Sequence, residues 1–213
     1  METLSILLIF WATFTVAVVT PGPNFAVISG TSLRSGGVSA LMVAVGMVIG
    51  EAIWGLAAVL GVAALATKQP WIATALQIGG GCVLLYLGVL SLRSAFRPSS
   101  PREDGADGEN PEASTFGFWQ GLWHGTAMML LNAKAGVFWI SMTGLILGSS
   151  GTEVGLLAVA GALVISFVWH AALALALTTG MVQRAYARLR RGLEFVLGTL
   201  LAGIGLRLIV SEG

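Results

Sequence analysis

The chain has 213 residues, 56% of them hydrophobic and only 10% charged, with a net charge of +1 and a mean hydropathy of +0.88. Soluble domains carry roughly 25% charged residues, so this composition excludes an ordinary soluble globule. The absence of a basic patch with interleaved aromatics excludes a nucleic-acid partner, and the single cysteine, Cys82, excludes an intrachain disulfide.

The first apolar segment covers residues 4–33. Its start, "METLSILLIFWATF", lacks the positive region of a secretory leader and carries Glu2 instead, so it reads as a retained helix. Pro21, Gly22, Pro23 and Asn24 interrupt it. A soluble helix would end there. Inside a bilayer the freed backbone groups must line protein or a watery cavity. A half-helix starting after Pro23 would offer N–H donors and a positive dipole end to a substrate carboxylate. Asn24 would add a neutral hydrogen bond.

The second segment, 37–67, carries Glu51 midway, in "GMVIGEAIWG". A carboxylate at that depth is costly unless it is paired or protonated. It binds a substrate ammonium, exchanges a coupling proton, pairs with a buried cation, or rests neutral within helix packing. Gly46 and Gly50 have the spacing of close helix approach. The third segment runs over 70–95. Residues 97–116, "RPSSPREDGADGENPEASTF", are rich in Pro, Ser, Gly and acid without periodicity and read as a solvated cytoplasmic linker. The linker separates a first three-helix repeat, 1–96, from a second, 117–213.

The fourth segment, 117–148, opens with Gly117, Gly121 and Gly125 at helix-packing spacing. It is broken at Asn132-Ala133-Lys134, at a depth matching that of Pro-Gly-Pro in the first half. A lysine at mid-membrane costs roughly 2.5–3.5 kcal/mol on insertion scales. Lys134 either faces a polar cavity or is paired for packing, with Glu51 as the natural partner. The fifth segment, 153–182, carries His170, and the fourth carries His124. Each is either a proton-relay group or a hydrogen-bonded core histidine. Neither has carboxylate or cysteine neighbours at ligand spacing, so no metal and no cofactor is expected. The sixth segment is placed at 191–211.

Arg34, then Arg93, Arg97 and Arg102, then Arg184, Arg188, Arg190 and Arg191 fall on one side of this scheme, and Lys68 and Arg207 on the other. The Arg-rich side is predicted to be cytoplasmic, with both termini on the opposite side. Each half holds three helices, an odd number, so related halves must insert in opposite senses. That is the inverted-repeat design of secondary transporters, with sites near the midplane on interrupted helices. The expected fold is an all-α integral membrane protein: six transmembrane helices as two inverted three-helix repeats, the first helix interrupted.

Four stretches resemble the LysE/RhtB family of bacterial amino-acid exporters: "TPGPNFAVI", "SLRSGGVSALMVAVGMVIG", "GGGCVLLYLGVLSLR" and "FGFWQGLWHGTAMMLLNAKAGVFW". The last departs from the family's Asn-Pro-Lys, because Ala133 stands in place of the proline. The second interruption should therefore expose less backbone, while Asn132 and Lys134 keep the polar chemistry. The resemblance implies an inner-membrane exporter of a small amino acid, proton-driven, acting as a homo-oligomer such as a homodimer. On the residues alone, an exporter of another small solute or ion stays open. A membrane enzyme lacks any motif to carry it, and a scaffold has little reason to bear the cost of Lys134 and Glu51.

Overall fold

The computed structural model describes residues 2–20, 22–66, 70–96, 117–176 and 180–211. Pro21 and the linker 97–116 lie outside the described residues, as do Lys68, Arg97 and Arg102. The described residues are helical almost throughout: α1 (Glu2–Val19), α2 (Pro23–Ala66), α3 (Pro70–Phe96), α4 (Phe118–Leu130), α5 (Ala133–Ala176) and α6 (Gly180–Ser211). Helices suit such a sequence because every backbone hydrogen bond closes within its own segment, which an apolar medium demands.

α2 and α5 are not single rods. Each contains one glycine with positive φ, Gly36 (84°) and Gly151 (77°), in the region that glycine enters without steric cost. At both the chain folds back. Met129 lies 4.0 Å from Asn24 Nδ2 and also packs on Gly50. A continuous helix would hold positions 24 and 50 about 39 Å apart. Likewise Gly55 packs against both Trp139 and Val159, which a continuous helix would separate by about 30 Å. So α2 is a hairpin of arms 23–35 and 37–66, and α5 a hairpin of arms 133–150 and 152–176. These reversals coincide with the gaps between the first and second, and the fourth and fifth, apolar segments of the sequence.

The sixth segment needs correction. The helix starts at Gly180, not near residue 191, so Arg184, Arg188, Arg190 and Arg191 sit on α6 rather than in a loop. Arginine is among the better helix formers, and its charge signals topology without ending a helix. The fifth segment correspondingly stops at Ala176.

By length and composition, Pro23–Gly61, Ile78–Phe96 and Gly151–Ala176 are candidate membrane spans, and Thr3–Val19 is a shorter apolar helix. The protein is membrane-embedded and all-helical over the described residues. Its outer faces are apolar, with Leu8, Val38, Val164 and Val168 exposed, as a lipid solvent requires.

Two cores hold the arms. One joins Phe10 and Phe14 of α1 to Phe138 and Trp139 of α5, with Leu84 and Leu197; the Trp139 ring lies 5.7 Å from Phe10 and 5.8 Å from Phe14. The other joins Ile28, Val43 and Met47 of α2 to Met129 of α4 and Leu173 of α5. Where α2 meets α4, the backbones touch. A Cβ at Gly125 would run into the Val43 carbonyl, and one at Gly46 into the Leu122 carbonyl. Thr126 Oγ1 donates across the gap to Gly46 O at 3.0 Å. The small-residue spacings of the sequence therefore serve packing inside the chain. Gly125→Ala should destabilise the detergent-purified protein by about 1–3 kcal/mol through overpacking, read as a lower midpoint of thermal unfolding. An unchanged midpoint would show that α4 can shift at no cost.

Candidate functional site

α1 stops because proline cannot continue it. Its last turn closes through Thr20, whose N–H and Oγ1 both donate to Val16 O, at 3.0 and 2.6 Å. α2 restarts at Pro23, a residue pre-set for the first helical position, and Ala26 N–H reaches Gly22 O at 3.1 Å. In the second half, α4 ends at Leu130 and α5 begins at Ala133. Here the backbone is well satisfied. Asn132 N–H donates to Met129 O at 3.2 Å, and Trp54 Nε1 donates to the same carbonyl at 3.3 Å. Asn132 Oδ1 caps α5 by accepting from Ala135 N–H at 3.3 Å.

The two interruptions meet. Asn132 Nδ2 donates to Asn24 Oδ1 at 3.4 Å, so residues far apart in sequence and matched in depth lie side by side. Gly22 and Asn24 are half-buried and Pro23 is exposed. Lys134 sits in the first turn of α5, where a cation opposes the helix dipole. Packing gains nothing from a charge placed so. Its side chain is exposed. The carboxylate acting on it is Glu194 of α6, a residue buried to 6% exposure.

Glu51 is 4% exposed and takes other partners than Lys134. It hydrogen-bonds Ser166 and Trp139, while its Oε2 is buried without a hydrogen-bond partner among the described residues. Ser166 Oγ in turn lies 3.0 Å from His170 Nδ1, and both residues are essentially inaccessible. The second arm of α2 and both arms of α5 thus share a buried row, Trp139–Glu51–Ser166–His170, with Trp139 on the first arm of α5 and Ser166 and His170 on the second. His124 is half-buried on α4, next to Gly125 and so level with Val43 and Met47 of α2.

Of the residues singled out in the sequence, Asn24, Asn132 and Lys134 come together, and Glu51 and His170 come together through Ser166. Gly50, next to Glu51, and Asn24 both touch Met129, so the two groups are neighbours. Ser166 and Glu194 were missed. Ser166 could have been found from its i, i+4 spacing to His170 on one helix face. Glu194 was hidden by the adjacent arginines, which draw the reading toward a membrane boundary.

The description "LysE type translocator" matches residues 15–212 of the chain. The chain is 27% identical to the threonine efflux protein of Escherichia coli K12 over 198 residues, 92% of this chain and 94% of that one. It is 28% identical to the threonine efflux protein of Salmonella typhi, with 92% and 94% covered. It is 30% identical to an uncharacterised membrane protein of Pseudomonas aeruginosa, with 95% of each covered. No solved structure matches the chain.

Proposed function

We propose that this chain, which belongs to the LysE type translocator family, exports a small amino acid or amino-acid derivative across the bacterial inner membrane, by alternating access and proton antiport. The family membership makes it a transporter rather than an enzyme. Amino-acid export is what the names of the threonine efflux relatives carry.

The observation that carries the reading is the meeting of the two helix breaks at Asn24 and Asn132, with Lys134 on the adjoining turn. A cation, two carboxamides and a helix N-terminus form a receptor for a carboxylate. Gly22 and Pro23 contribute its other wall, and Pro21, outside the described residues, is assigned to substrate binding from its place in the sequence. Glu51 serves as the group that takes the substrate ammonium or the coupling proton, and His170 extends it as a relay. His124 is the remaining relay candidate.

The inverted-repeat reading is supported by the order of elements. Each half runs helix, break, short arm, positive-φ glycine, long arm, helix. The corresponding helices α3 and α6 run antiparallel, because Gly88 packs on Gly198 and Ala202 while Gly205 packs on Gly81 and Leu85. Halves inserted in opposite senses give that arrangement. On this reading the Arg-rich side is cytoplasmic and both termini face away from it. A homodimer in the bilayer completes the proposal.

Proteoliposomes loaded with a panel of amino acids, under an imposed pH gradient, test it. At least one amino acid, with threonine the first to try, should leave faster than from empty-vesicle controls, and faster with the gradient than without it. No accelerated release across the panel would sink the reading.

A further inference from the structure

We propose that Ser166 bridges Glu51 and His170 so that one proton is shared along the row and moved as a unit when the transporter changes face. This rests on the antiport reading above.

The geometry leaves few choices. A serine hydroxyl has one proton to give and lone pairs to receive. Ser166 lies between a carboxyl group and an imidazole nitrogen 3.0 Å away. Two arrangements give the Ser166 hydroxyl both a donor and an acceptor. In the first, the Glu51 carboxyl donates to Ser166 Oγ, and Ser166 donates to His170 Nδ1. In the second, protonated Nδ1 donates to Oγ, and Ser166 donates to the Glu51 carboxylate. Passing between them breaks the Glu51 O–H bond and forms the Nδ1–H bond, while the hydroxyl gives up one proton and gains another. Ser166 ends unchanged.

Both arrangements have the same net charge, so the core never holds an uncompensated ion. Trp139 Nε1–H donates only, and it holds Glu51 in either state. The Ser166 carbonyl faces the imidazole as well. Because Glu51 Oε2 is buried without a hydrogen-bond partner among the described residues, the row ends there at Glu51. A proton leaving there must go to solvent or substrate admitted by a change of conformation.

The other described titratable groups on the helices packed around α2 and α5 are His124 of α4, half-buried; Lys134 of α5, acted on by Glu194 of α6; Glu153 of α5, exposed; and Cys82, Tyr86 and Arg93 of α3, all exposed. None stands between Glu51 and His170 in the row. That is why the exchange is assigned to Ser166.

The test starts with purified substrate-free protein in lipid nanodiscs. The carboxyl band of Glu51, identified by its loss in Glu51→Gln, is followed by infrared spectroscopy. The His170 nitrogens are followed by NMR. In wild type the two should change over the same pH interval. In Ser166→Ala they should separate by about one pH unit or more, and Ser166→Thr, which keeps the hydroxyl, should restore them. Independent changes in wild type, or joint changes surviving Ser166→Ala, overturn the shared proton. In proteoliposomes the ratio of gradient-driven to gradient-free efflux should fall by about tenfold or more in Ser166→Ala; an unchanged ratio overturns its part in coupling. If the joint titration is present but wild-type efflux ignores the gradient, the antiport reading fails and the shared proton stands.

Discussion

Replacing Lys134 with alanine should slow efflux by about 10–100-fold, the loss of one charge-assisted hydrogen bond worth about 1.5–3 kcal/mol. Three local features concentrate that loss on a single side chain. Lys134 occupies the first turn of α5, so its charge and the helix dipole add at one spot. Its side chain is exposed rather than packed into a core. Its neighbours Asn24 and Asn132 are neutral and already engaged with each other, so neither can supply the missing charge. Because the lysine side chain carries exposed surface, its truncation leaves little cavity, and folding should be affected much less than transport. Lys134→Arg keeps the charge but spreads it over a planar fork, and should recover part of the rate. The measurement is release of labelled substrate from proteoliposomes holding equal amounts of folded protein. Equal rates for Lys134→Ala and wild type would remove Lys134 from the substrate path. Glu194 adds an internal check. If its carboxylate occupies Lys134 between cycles, Glu194→Gln should tighten substrate binding while Lys134→Ala weakens it.

Much of the architecture is legible in the sequence because membrane burial imposes simple rules. The gaps at 34–36 and 149–152 bracket Gly36 and Gly151, the two positions where the chain reverses. The breaks at Pro-Gly-Pro and at Asn132-Ala133-Lys134 are visible as polar or rigid residues in apolar surroundings. The sequence matches their depths, while their contact at Asn24 and Asn132 comes from the structure. What the sequence does not carry is side-chain partnership. Glu51 and Lys134 are the two obvious intramembrane charges, and pairing them is the economical guess. Yet Glu51 lies on the arm of α2 facing the second arm of α5, and its hydrogen bonds go to Ser166 and Trp139. Lys134 opens the first arm of the same hairpin, under the influence of α6. Trp139 lies on the same arm as Lys134, yet the two side chains meet different carboxylates, Glu51 and Glu194, and no periodicity in the sequence encodes how one arm distributes its neighbours. The sequence places the sixth segment from 191, yet Arg184, Arg188, Arg190 and Arg191 all lie within the helix that begins at Gly180, because arginine is a good helix former and does not end a helix.

The two polar groups are joined through packing rather than through a charge pair. Met129 touches Asn24 at the breaks and Gly50 beside Glu51. Trp54, one turn from Glu51, donates to the Met129 carbonyl and lays its ring on Gly136 of α5. Trp139 packs reciprocally on Gly55 of α2 while donating to Glu51. A change at the breaks that moves Met129 must therefore also move the α2–α5 crossing where Glu51 sits. Close-packed contacts of this kind switch between discrete arrangements more readily than they deform continuously, which is what coupling substrate to proton requires.

Glu51→Gln separates the proton from the fold. Glutamine has the same shape, keeps an oxygen for the Trp139 N–H, and offers an amide to Ser166 Oγ. The row therefore remains hydrogen-bonded, whereas Glu51→Ala would strand Ser166 and Trp139 at about 1–3 kcal/mol for each unsatisfied group. The amide cannot give up its proton, so the site is held in the equivalent of its loaded, neutral state. Net efflux driven by a pH gradient should then fall by about tenfold or more, since each cycle needs that proton to leave. Exchange of labelled for unlabelled substrate requires no net proton movement and should persist. The ratio of the two rates is the decisive quantity, because a misfolded or poorly inserted protein loses both together. Gradient-driven efflux at the wild-type rate in Glu51→Gln would free Glu51 from any part in coupling. Its burial would then be explained by packing between α2 and α5 alone.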